Sequence, residues 1–204
     1  MRGSPDVHDT DAPVRDLPTF IAQVERLVDT ESDPHAITGG VRARLHQLVL
    51  HPEFLAAECR EPDPKHYRTH LLAIAPSRRF SVVSLVWLPG QITPIHDHFC
   101  WCVVGVLQGL ESERRYHLRA GAEGERWLVP AGEERVTTGD TCALVPPDEN
   151  IHQVSNCGAG VAISIHVYGG DLEVYKNSIN QCFDDLPLRG EAAGGAPVAW
   201  RFAR

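Results

Sequence analysis

From Tyr67 onward, hydrophobic and β-branched residues fall into short runs that are separated by turn-forming residues. Runs of about four to eight such residues, bounded by Gly, Pro, Asn or Asp, are typical of β-strands. We therefore expect strands over 70–75, 80–88, 101–107, 112–118, 125–129, 134–137, 141–145 and 161–168. The Ala131-Gly132 pair is expected to separate the fifth strand from the sixth.

The N-terminal part of the chain follows a helical period instead. Asp16 precedes a series of apolar residues at spacings of about three and four, namely Leu17, Phe20, Ile21, Val24 and Leu27. This spacing predicts an amphipathic helix over 17–28 with Asp16 at its start. A second helix is expected over 41–50, and a short third helix after Pro52.

Many strands at short, regular intervals favour a mainly β sandwich or barrel over parallel βαβ units. The chain has 204 residues, which suits one domain, and we see no internal repeat. We expect a single domain over 1–204. It divides into a helical N-terminal segment over 1–60, a β-barrel over 67–180 and a C-terminal tail over 181–204, in which 186–197 is expected to be irregular.

The composition narrows the classes of function. A formal net charge of −8 argues against nucleic acid as a partner, because phosphate binding needs a basic face. No apolar run is long enough for a membrane span, and the polar stretch 1–17 does not resemble a signal peptide. We therefore expect a cytoplasmic protein. Its six cysteines form no CxxC pair and are expected to be mostly buried thiols.

The clearest candidate chemistry is a set of three histidines. His96 and His98 are two residues apart, so in a strand both side chains project to the same face. His152 begins another β-type segment, and a barrel can bring the two segments together. Three imidazoles on one face predict a metal site with His96, His98 and His152 as ligands.

A second polar series lies in the last predicted strand. Ser164, His166 and Tyr168 occupy alternate positions, so they share one face, while Ile165 and Val167 share the other. This pattern indicates a hydrogen-bonded relay of three side chains. Its alternative is a buried polar network that serves packing alone.

The histidine motifs resemble those of the cupin superfamily. Gly90, His96, His98 and Gly109 match the first cupin motif, in which Cys102 stands where a glutamate is usual. Gly139, Pro147, His152 and Asn156 match most of the second. The resemblance implies a double-stranded β-helix (jelly-roll) barrel. Without the glutamate, three neutral histidines suit a substrate that brings its own anion, such as a thiolate.

The Ser-x-His-x-Tyr series and the segment 79–94 resemble the cupin thiol dioxygenases, namely cysteine dioxygenase type I and bacterial 3-mercaptopropionate dioxygenase. The resemblance implies that Fe(II) is the cofactor and O₂ the co-substrate, and that a small thiol is oxidised to the sulfinate. His96, His98 and His152 would hold the iron. Tyr168, oriented by His166 and Ser164, would lie beside the substrate.

Two positions depart from the family pattern. The residue that usually binds the substrate carboxylate follows a tyrosine in the first strand, and here that position is Thr69. Tyr67, Arg68 and His70 are the candidate substrate-binding residues, although Arg68 faces the opposite side in a regular strand. Cys102 matches a cysteine that bonds to the active-site tyrosine in some relatives. It therefore forms a thioether with Tyr168 or remains an inert thiol.

Three other functions stay open at this point. A three-histidine cupin can cleave rings or diketones, and a cupin can also bind a ligand without catalysis. A zinc or nickel isomerase is a third alternative, although such isomerases more often keep the glutamate. The sequence does not identify the thiol or the oligomeric state.

Overall fold

A computed structural model describes residues 12–147 and 150–190 of the chain. Two helices, α1 (Leu17–Thr30) and α2 (Pro34–Val49), precede the strands, and a short helix α3 (Leu172–Tyr175) follows the ninth strand. Two 3₁₀ turns, Pro52–Phe54 and Ala57–Arg60, connect α2 to the first strand. None of the helices in the described ranges has the length and apolar character that crossing a membrane requires.

The described strands build two five-stranded antiparallel sheets. In chain order they are β1 (Arg68–Ile74), β2 (Ser81–Trp87), β3 (His96–His98), β4 (Cys102–Gln108), β5 (Leu110–Ala120), β6 (Arg126–Thr137), β7 (Thr141–Leu144), β8 (His152–Asn156), β9 (Ala162–Tyr168) and β10 (Ile179–Cys182). The first sheet has the order β1-β2-β9-β4-β7, and the second has the order β10-β3-β8-β5-β6. The chain is mainly β with the double-stranded β-helix arrangement, as predicted.

The first sheet is buried on both faces, which explains its continuous apolar strands. Side chains at alternate positions, such as Val103, Ile165 and Val167, pack outward against α1 and α2. Their neighbours in sequence, such as Cys102 and Tyr168, point inward to a separate apolar cluster between the sheets. Every residue of β2 and β9 is therefore buried.

Two glycines allow the close approach of neighbouring elements. A Cβ atom on Gly105 in β4 would lie 2.9 Å from the Leu45 side chain, so the glycine lets α2 lie directly on the sheet. Gly109 has a positive φ of 92° in the turn from β4 to β5, and a Cβ there would lie 2.8 Å from the Ala162 backbone. Gly109 is one of the glycines that matched the cupin motif.

The N-terminal helices begin at aspartate caps. The Asp16 carboxylate accepts a hydrogen bond from the Thr19 amide, as its position before the first helix predicted. Helix α2 starts seven residues before the predicted residue 41, with Asp33 as its cap and Pro34 in its first turn. The sequence pattern missed this first part because Thr38 and two glycines weaken the apolar period there.

One further expectation about the strands was wrong. Residues 126–137 form one strand, because Gly132 is accommodated at a register shift opposite Arg115 rather than ending the pairing. The expected C-terminal tail over 181–204 begins inside a strand. Strand β10 reaches Cys182, and Phe183 is 2% exposed within a third apolar cluster. Residues 191–204 of that tail lie outside the described ranges.

Candidate metal centre and active site

The three predicted metal ligands converge inside the barrel. His96 and His98 are the two ends of β3 and face the same side, and His152 is the first residue of β8, directly opposite His96. One ring nitrogen from each residue lies within 4.8 Å of the other two, and all three side chains are buried. The predicted metal-binding group is therefore present.

The hydrogen bonds of the outer ring nitrogens determine which nitrogens face the centre. The Nδ1 atom of His96 lies 2.9 Å from the Pro94 carbonyl, and that of His98 lies 3.0 Å from the Ser178 carbonyl. The Nδ1 atom of His152 lies 2.9 Å from the Glu113 carboxylate. Each of these partners only accepts, so each Nδ1 carries the hydrogen and each Nε2 has a free lone pair.

The three Nε2 lone pairs point at one another, which is a suitable environment for a cation. The Nε2 atoms of His98 and His152 are 3.0 Å apart, close enough to bind one ion together. Burial lowers the pKa of His96 to about 3 and also lowers the pKa of His98. A divalent metal ion fits this donor set, because neutral imidazoles with oriented lone pairs are good ligands for transition metals.

Glu113 orients His152, and the sequence analysis did not identify it. Its carboxylate also pairs with the Arg115 guanidinium at 3.0 Å, and both side chains are buried. Burial alone would raise the pKa of Glu113, but Arg115 and His152 lower it to about 2, so it is ionised. The sequence feature that could have identified Glu113 is the alternation of charged residues at 113 and 115. The same alternation is found on ordinary solvent-exposed faces of strands.

The predicted relay is formed as a continuous chain of hydrogen bonds. The Tyr168 hydroxyl lies 3.1 Å from Nδ1 of His166, and the Ser164 hydroxyl lies 3.0 Å from Nε2 of the same ring. The Trp87 indole N–H donates to Ser164 Oγ at 3.2 Å. Burial lowers the pKa of His166 to about 3 and raises that of Tyr168, so both side chains are neutral.

A cavity of about 190 Å³ connects the histidines with the relay. The three ligand histidines, His166 and Tyr168 all line it, together with apolar and aromatic side chains of both sheets. Its volume is below the roughly 300–1,000 Å³ of pockets for drug-sized molecules, so it suits a small ligand. Within the described ranges no Asp or Glu lines the cavity, and Lys176 is its only lysine or arginine.

The candidate substrate-binding residues fall into two groups, because successive side chains along β1 point to opposite faces of the sheet. Tyr67 lines the cavity and packs on Trp87 at 4.6 Å between ring centroids, and Thr69 lines the cavity too. Arg68 and His70 do not line it. Arg68 pairs with the Glu61 carboxylate at 3.6 Å, and the His70 ring bonds the backbone carbonyl of Glu61. A role for Arg68 and His70 in substrate binding is thus not supported.

Cys102 lies directly opposite Tyr168 across β4 and β9, with both side chains buried. Burial raises the pKa of the Cys102 thiol well above its usual range, and a hydrogen bond with Tyr168 opposes this shift. The six cysteines are all free in the structure. The thioether between Cys102 and Tyr168 therefore stays a prediction.

The fold and this centre define the class of protein: a cupin with a three-histidine metal-binding group beside a small cavity. A family model for cysteine dioxygenase type I matches residues 58–177, which is more than half of the chain. The chain belongs to that family. Membership and the three-histidine group together identify a metal-dependent cupin dioxygenase.

Comparison with solved structures finds proteins with double-stranded β-helix domains at low sequence identity. One is an uncharacterized conserved protein from Klebsiella pneumoniae, at 19% identity and a TM-score of 0.41 over 56% of this chain and 85% of that one. Another is a cupin superfamily protein from Desulfitobacterium hafniense, at 13% identity and a TM-score of 0.40 over 59% and 87%. A Bacillus subtilis oxalate decarboxylase variant matches at 14% identity and a TM-score of 0.42 over 58% and 29%.

Proposed function

We propose that the chain is an iron(II)-dependent thiol dioxygenase that oxidises a small thiol to its sulfinate. The reaction is R–SH + O₂ → R–SO₂⁻ + H⁺, in which sulfur loses four electrons and O₂ gains them. The observation that carries the proposal is the convergence of three histidine ring nitrogens in a cavity that no carboxylate of the described residues lines.

The donor set supports a thiolate as the anionic partner of the metal. Three neutral imidazoles leave the charge of a divalent ion uncompensated, and no aspartate or glutamate among the described residues lines the cavity to neutralise it. A thiolate supplies that charge through a sulfur atom that is soft enough for iron. The chemistry that iron supplies when bound there is electron transfer to O₂ and coordination of a deprotonated thiol.

The relay gives Tyr168 its role. Tyr168 lines the cavity, and its hydroxyl is hydrogen-bonded to Nδ1 of His166. Because burial keeps Tyr168 and His166 neutral, the hydroxyl orients the reacting oxygen by hydrogen bonding rather than by full charge. Ser164 fixes the opposite edge of the His166 ring.

The remaining cavity groups favour a thiol that carries a carboxylate. Lys176 is the one permanent cation at the cavity in the described part of the chain, and it attracts an anionic end group. Among the described residues, no carboxylate lines the cavity to pair with an ammonium group. We therefore expect 3-mercaptopropionate or mercaptosuccinate to be a better substrate than cysteine, and cysteamine to be the poorest.

The expected partner is a small-molecule thiol alone. With a net charge of −8, neither nucleic acid nor an anionic membrane surface is expected to bind. The cytoplasm remains the expected location.

The test is O₂ consumption by the purified protein after anaerobic loading with Fe(II). The panel consists of 3-mercaptopropionate, mercaptosuccinate, cysteine and cysteamine, with a catechol and a β-diketone as the rival substrates. We expect uptake with the thiol carboxylates, and both atoms of ¹⁸O₂ in the sulfinate product by mass spectrometry.

Two histidine variants provide the matched comparison. His96→Ala removes a ligand and is expected to abolish iron retention and turnover. His35→Ala changes an exposed histidine of α2, on the far side of the first sheet, and is expected to change neither. Uptake with the catechol or the diketone alone, or failure of the wild-type protein to retain any metal, would overturn the proposal.

A further inference from the structure

Strand β5 carries a second buried glutamate that the proposed reaction does not use. Glu111 lies two residues before Glu113 on the same inward face of β5 and is 0% exposed. Neither of its carboxyl oxygens has a hydrogen-bond partner of ordinary geometry within the described part of the chain. A buried carboxyl without a partner is costly, so this group needs a physical explanation.

The neighbours of Glu111 leave one available partner. Val136, opposite it in β6, is apolar. Asn156, opposite it in β8, uses its amide nitrogen on the Trp87 and Gly160 carbonyls and its amide oxygen on the Gly158 amide. The remaining group is the Ser164 hydroxyl, whose hydrogen bonding acts on the Glu111 carboxyl.

Glu111 is neutral, in contrast to Glu113. Burial raises the pKa of Glu111 to about 8, Ser164 opposes this increase, and the negative charge of Glu113 adds to it. No other titratable group in the described ranges is found to act on it. At neutral pH the side chain is therefore a carboxylic acid with one O–H to donate.

The hydrogen-bond capacity of Ser164 makes the protonation of Glu111 relevant to the relay. A hydroxyl has one hydrogen and two lone pairs, and the Trp87 N–H occupies one lone pair. One hydrogen and one lone pair remain for two partners, Glu111 and Nε2 of His166. Ser164 must therefore donate to one of them and accept from the other.

We propose that Glu111 is the inner end of the relay and acts as a positioning residue, donating its hydrogen to Ser164 so that the Tyr168 O–H is directed into the cavity. With Glu111 as donor, Ser164 donates to Nε2 of His166, and the His166 Nδ1–H donates to the Tyr168 oxygen. The hydroxyl hydrogen of Tyr168 is then directed to the cavity side, where Ser178, which also hydrogen-bonds with Tyr168, lines the cavity. This inference rests on the proposed function, since it concerns the residue that orients the reacting oxygen.

Ionisation of Glu111 exchanges donor and acceptor in each hydrogen bond from Glu111 to Tyr168. The carboxylate accepts from Ser164, which accepts from Nε2–H of His166, and Nδ1 accepts from Tyr168. Tyr168 then presents lone pairs to the cavity in place of a hydrogen. Because the four groups are coupled in sequence, one proton on Glu111 sets the direction of the hydrogen bond that Tyr168 makes in the cavity.

The activity test compares an amide with an apolar side chain at this position. Glu111→Gln keeps an N–H donor for Ser164 and cannot ionise. It should retain kcat close to that of the wild-type enzyme, while losing the decrease in kcat that the wild type shows as pH rises through about 8. Glu111→Met removes the donor and should lower kcat roughly tenfold with metal content and KM unchanged. Equal losses in both variants, or an unchanged pH profile in Glu111→Gln, would overturn the proposal.

An infrared measurement on the metal-free protein tests the same hydrogen bond without turnover. A carbonyl band of a neutral carboxylic acid should be present at pH 6, disappear as the pH rises through about 8, and be absent in Glu111→Gln. Ser164→Ala should shift this band. Absence of such a band in the wild-type protein would overturn the proposal even if the variants fail to fold. Lack of thiol oxidation by the wild type would instead contradict the proposed function, and the infrared result would stand by itself.

Discussion

The side chains of Cys102 and Tyr168 face each other across adjacent strands, β4 and β9, in the apolar cluster between the two sheets. Neither is accessible to bulk solvent, since Cys102 is 0% and Tyr168 is 5% exposed. Burial raises the pKa of both groups, so they are a neutral thiol and a neutral phenol. Covalent bonding between them requires an oxidant that acts inside the cavity.

We expect the iron-loaded protein to form a Cys102–Tyr168 thioether during turnover with O₂, because the two side chains are already in contact. Peptide mass spectrometry should then find a linked peptide that lacks two hydrogens relative to the sum of its parts. Protein kept without oxygen provides the control and should give separate peptides. Separate, unmodified peptides after many turnovers would show that Cys102 is an inert thiol.

Replacing Glu113 by glutamine should weaken metal binding. The substitution removes the negative charge that accepts from His152 Nδ1, and the amide that replaces it can donate as well as accept. The tautomer and orientation of the ring are then no longer fixed. Metal affinity should fall about 10- to 100-fold, the size typical of losing such a partner. Competition with a chelator measures this change.

Glu133→Gln is the matched control for Glu113, because Glu133 is half-exposed on β6 and pairs with Arg114 instead. Its metal affinity should equal that of the wild-type protein. A Glu113→Gln protein that folds and binds metal with wild-type affinity would remove Glu113 from the metal centre.

The side chains whose positions the sequence predicted correctly are those whose pattern has one structural interpretation. Two histidines spaced by one residue share a face in any strand, and the run of alternating residues over 162–168 separates a polar face from an apolar one. Strand β5 offers no such contrast, because Glu111, Glu113 and Arg115 resemble a solvated face. Their burial depends on which side of β5 the first sheet covers, which is a long-range property of the fold.

Arg68 is the opposite case, a residue that looked like part of the site in sequence but lies outside the cavity in the structure. Its positive charge suggested that it binds a substrate carboxylate, whereas its position in the strand predicted that it faces away from the cavity. In the structure it does face away and pairs with Glu61. Lys176 was not among the candidate substrate-binding residues. It lines the cavity because α3 ends there, with Lys176 itself in the left-handed region at a φ of 71°.

Removing the charge of Lys176 should weaken the binding of thiol carboxylates. In Lys176→Met we expect KM for 3-mercaptopropionate to rise about fivefold, the effect of losing a solvated ion pair worth roughly 1 kcal/mol, with little change in kcat. Steady-state O₂ uptake at low ionic strength measures both constants.

Lys65→Met is the matched control for Lys176, since Lys65 is the other lysine of the chain and does not line the cavity. Its KM should be unchanged. The KM for cysteamine should stay the same or fall in Lys176→Met, because its ammonium group is repelled by Lys176. An equal rise in KM for cysteamine and 3-mercaptopropionate would contradict a charge effect.

Glu111 should make the stability of the metal-free protein decrease as pH rises. Its pKa is about 8 in the folded chain against an ordinary 4.5, so between these values the folded state keeps a proton that the unfolded state releases. The free energy of unfolding therefore falls with rising pH in this window, by about 1 kcal/mol per pH unit, and the contribution is constant outside it.

Urea unfolding at pH 6, 7, 8 and 9 measures this contribution as the difference between the wild type and Glu111→Gln. The free energy of unfolding of the wild type, minus that of the variant, should decrease from pH 6 to 8 and then become constant. Glu123→Gln, an exposed position in the turn between β5 and β6, should give a difference that is independent of pH. A pH-independent difference for Glu111→Gln would mean that Glu111 is ionised in the folded protein.

Tyr168→Phe should separate catalysis from metal binding. The substitution removes a hydroxyl that is hydrogen-bonded to His166, but it leaves the ring, whose centroid lies 5.4 Å from that of His98. Because only hydrogen bonding is lost, kcat should fall about 100-fold, the lower range for a positioned proton donor, with iron content unchanged. Tyr175→Phe, which removes an exposed hydroxyl from a ring that packs on Phe99, should retain full activity. Undiminished turnover in Tyr168→Phe would exclude the hydroxyl from the reaction and leave the relay as a structural network. Loss of iron together with activity would show that Tyr168 acts in metal retention rather than in catalysis.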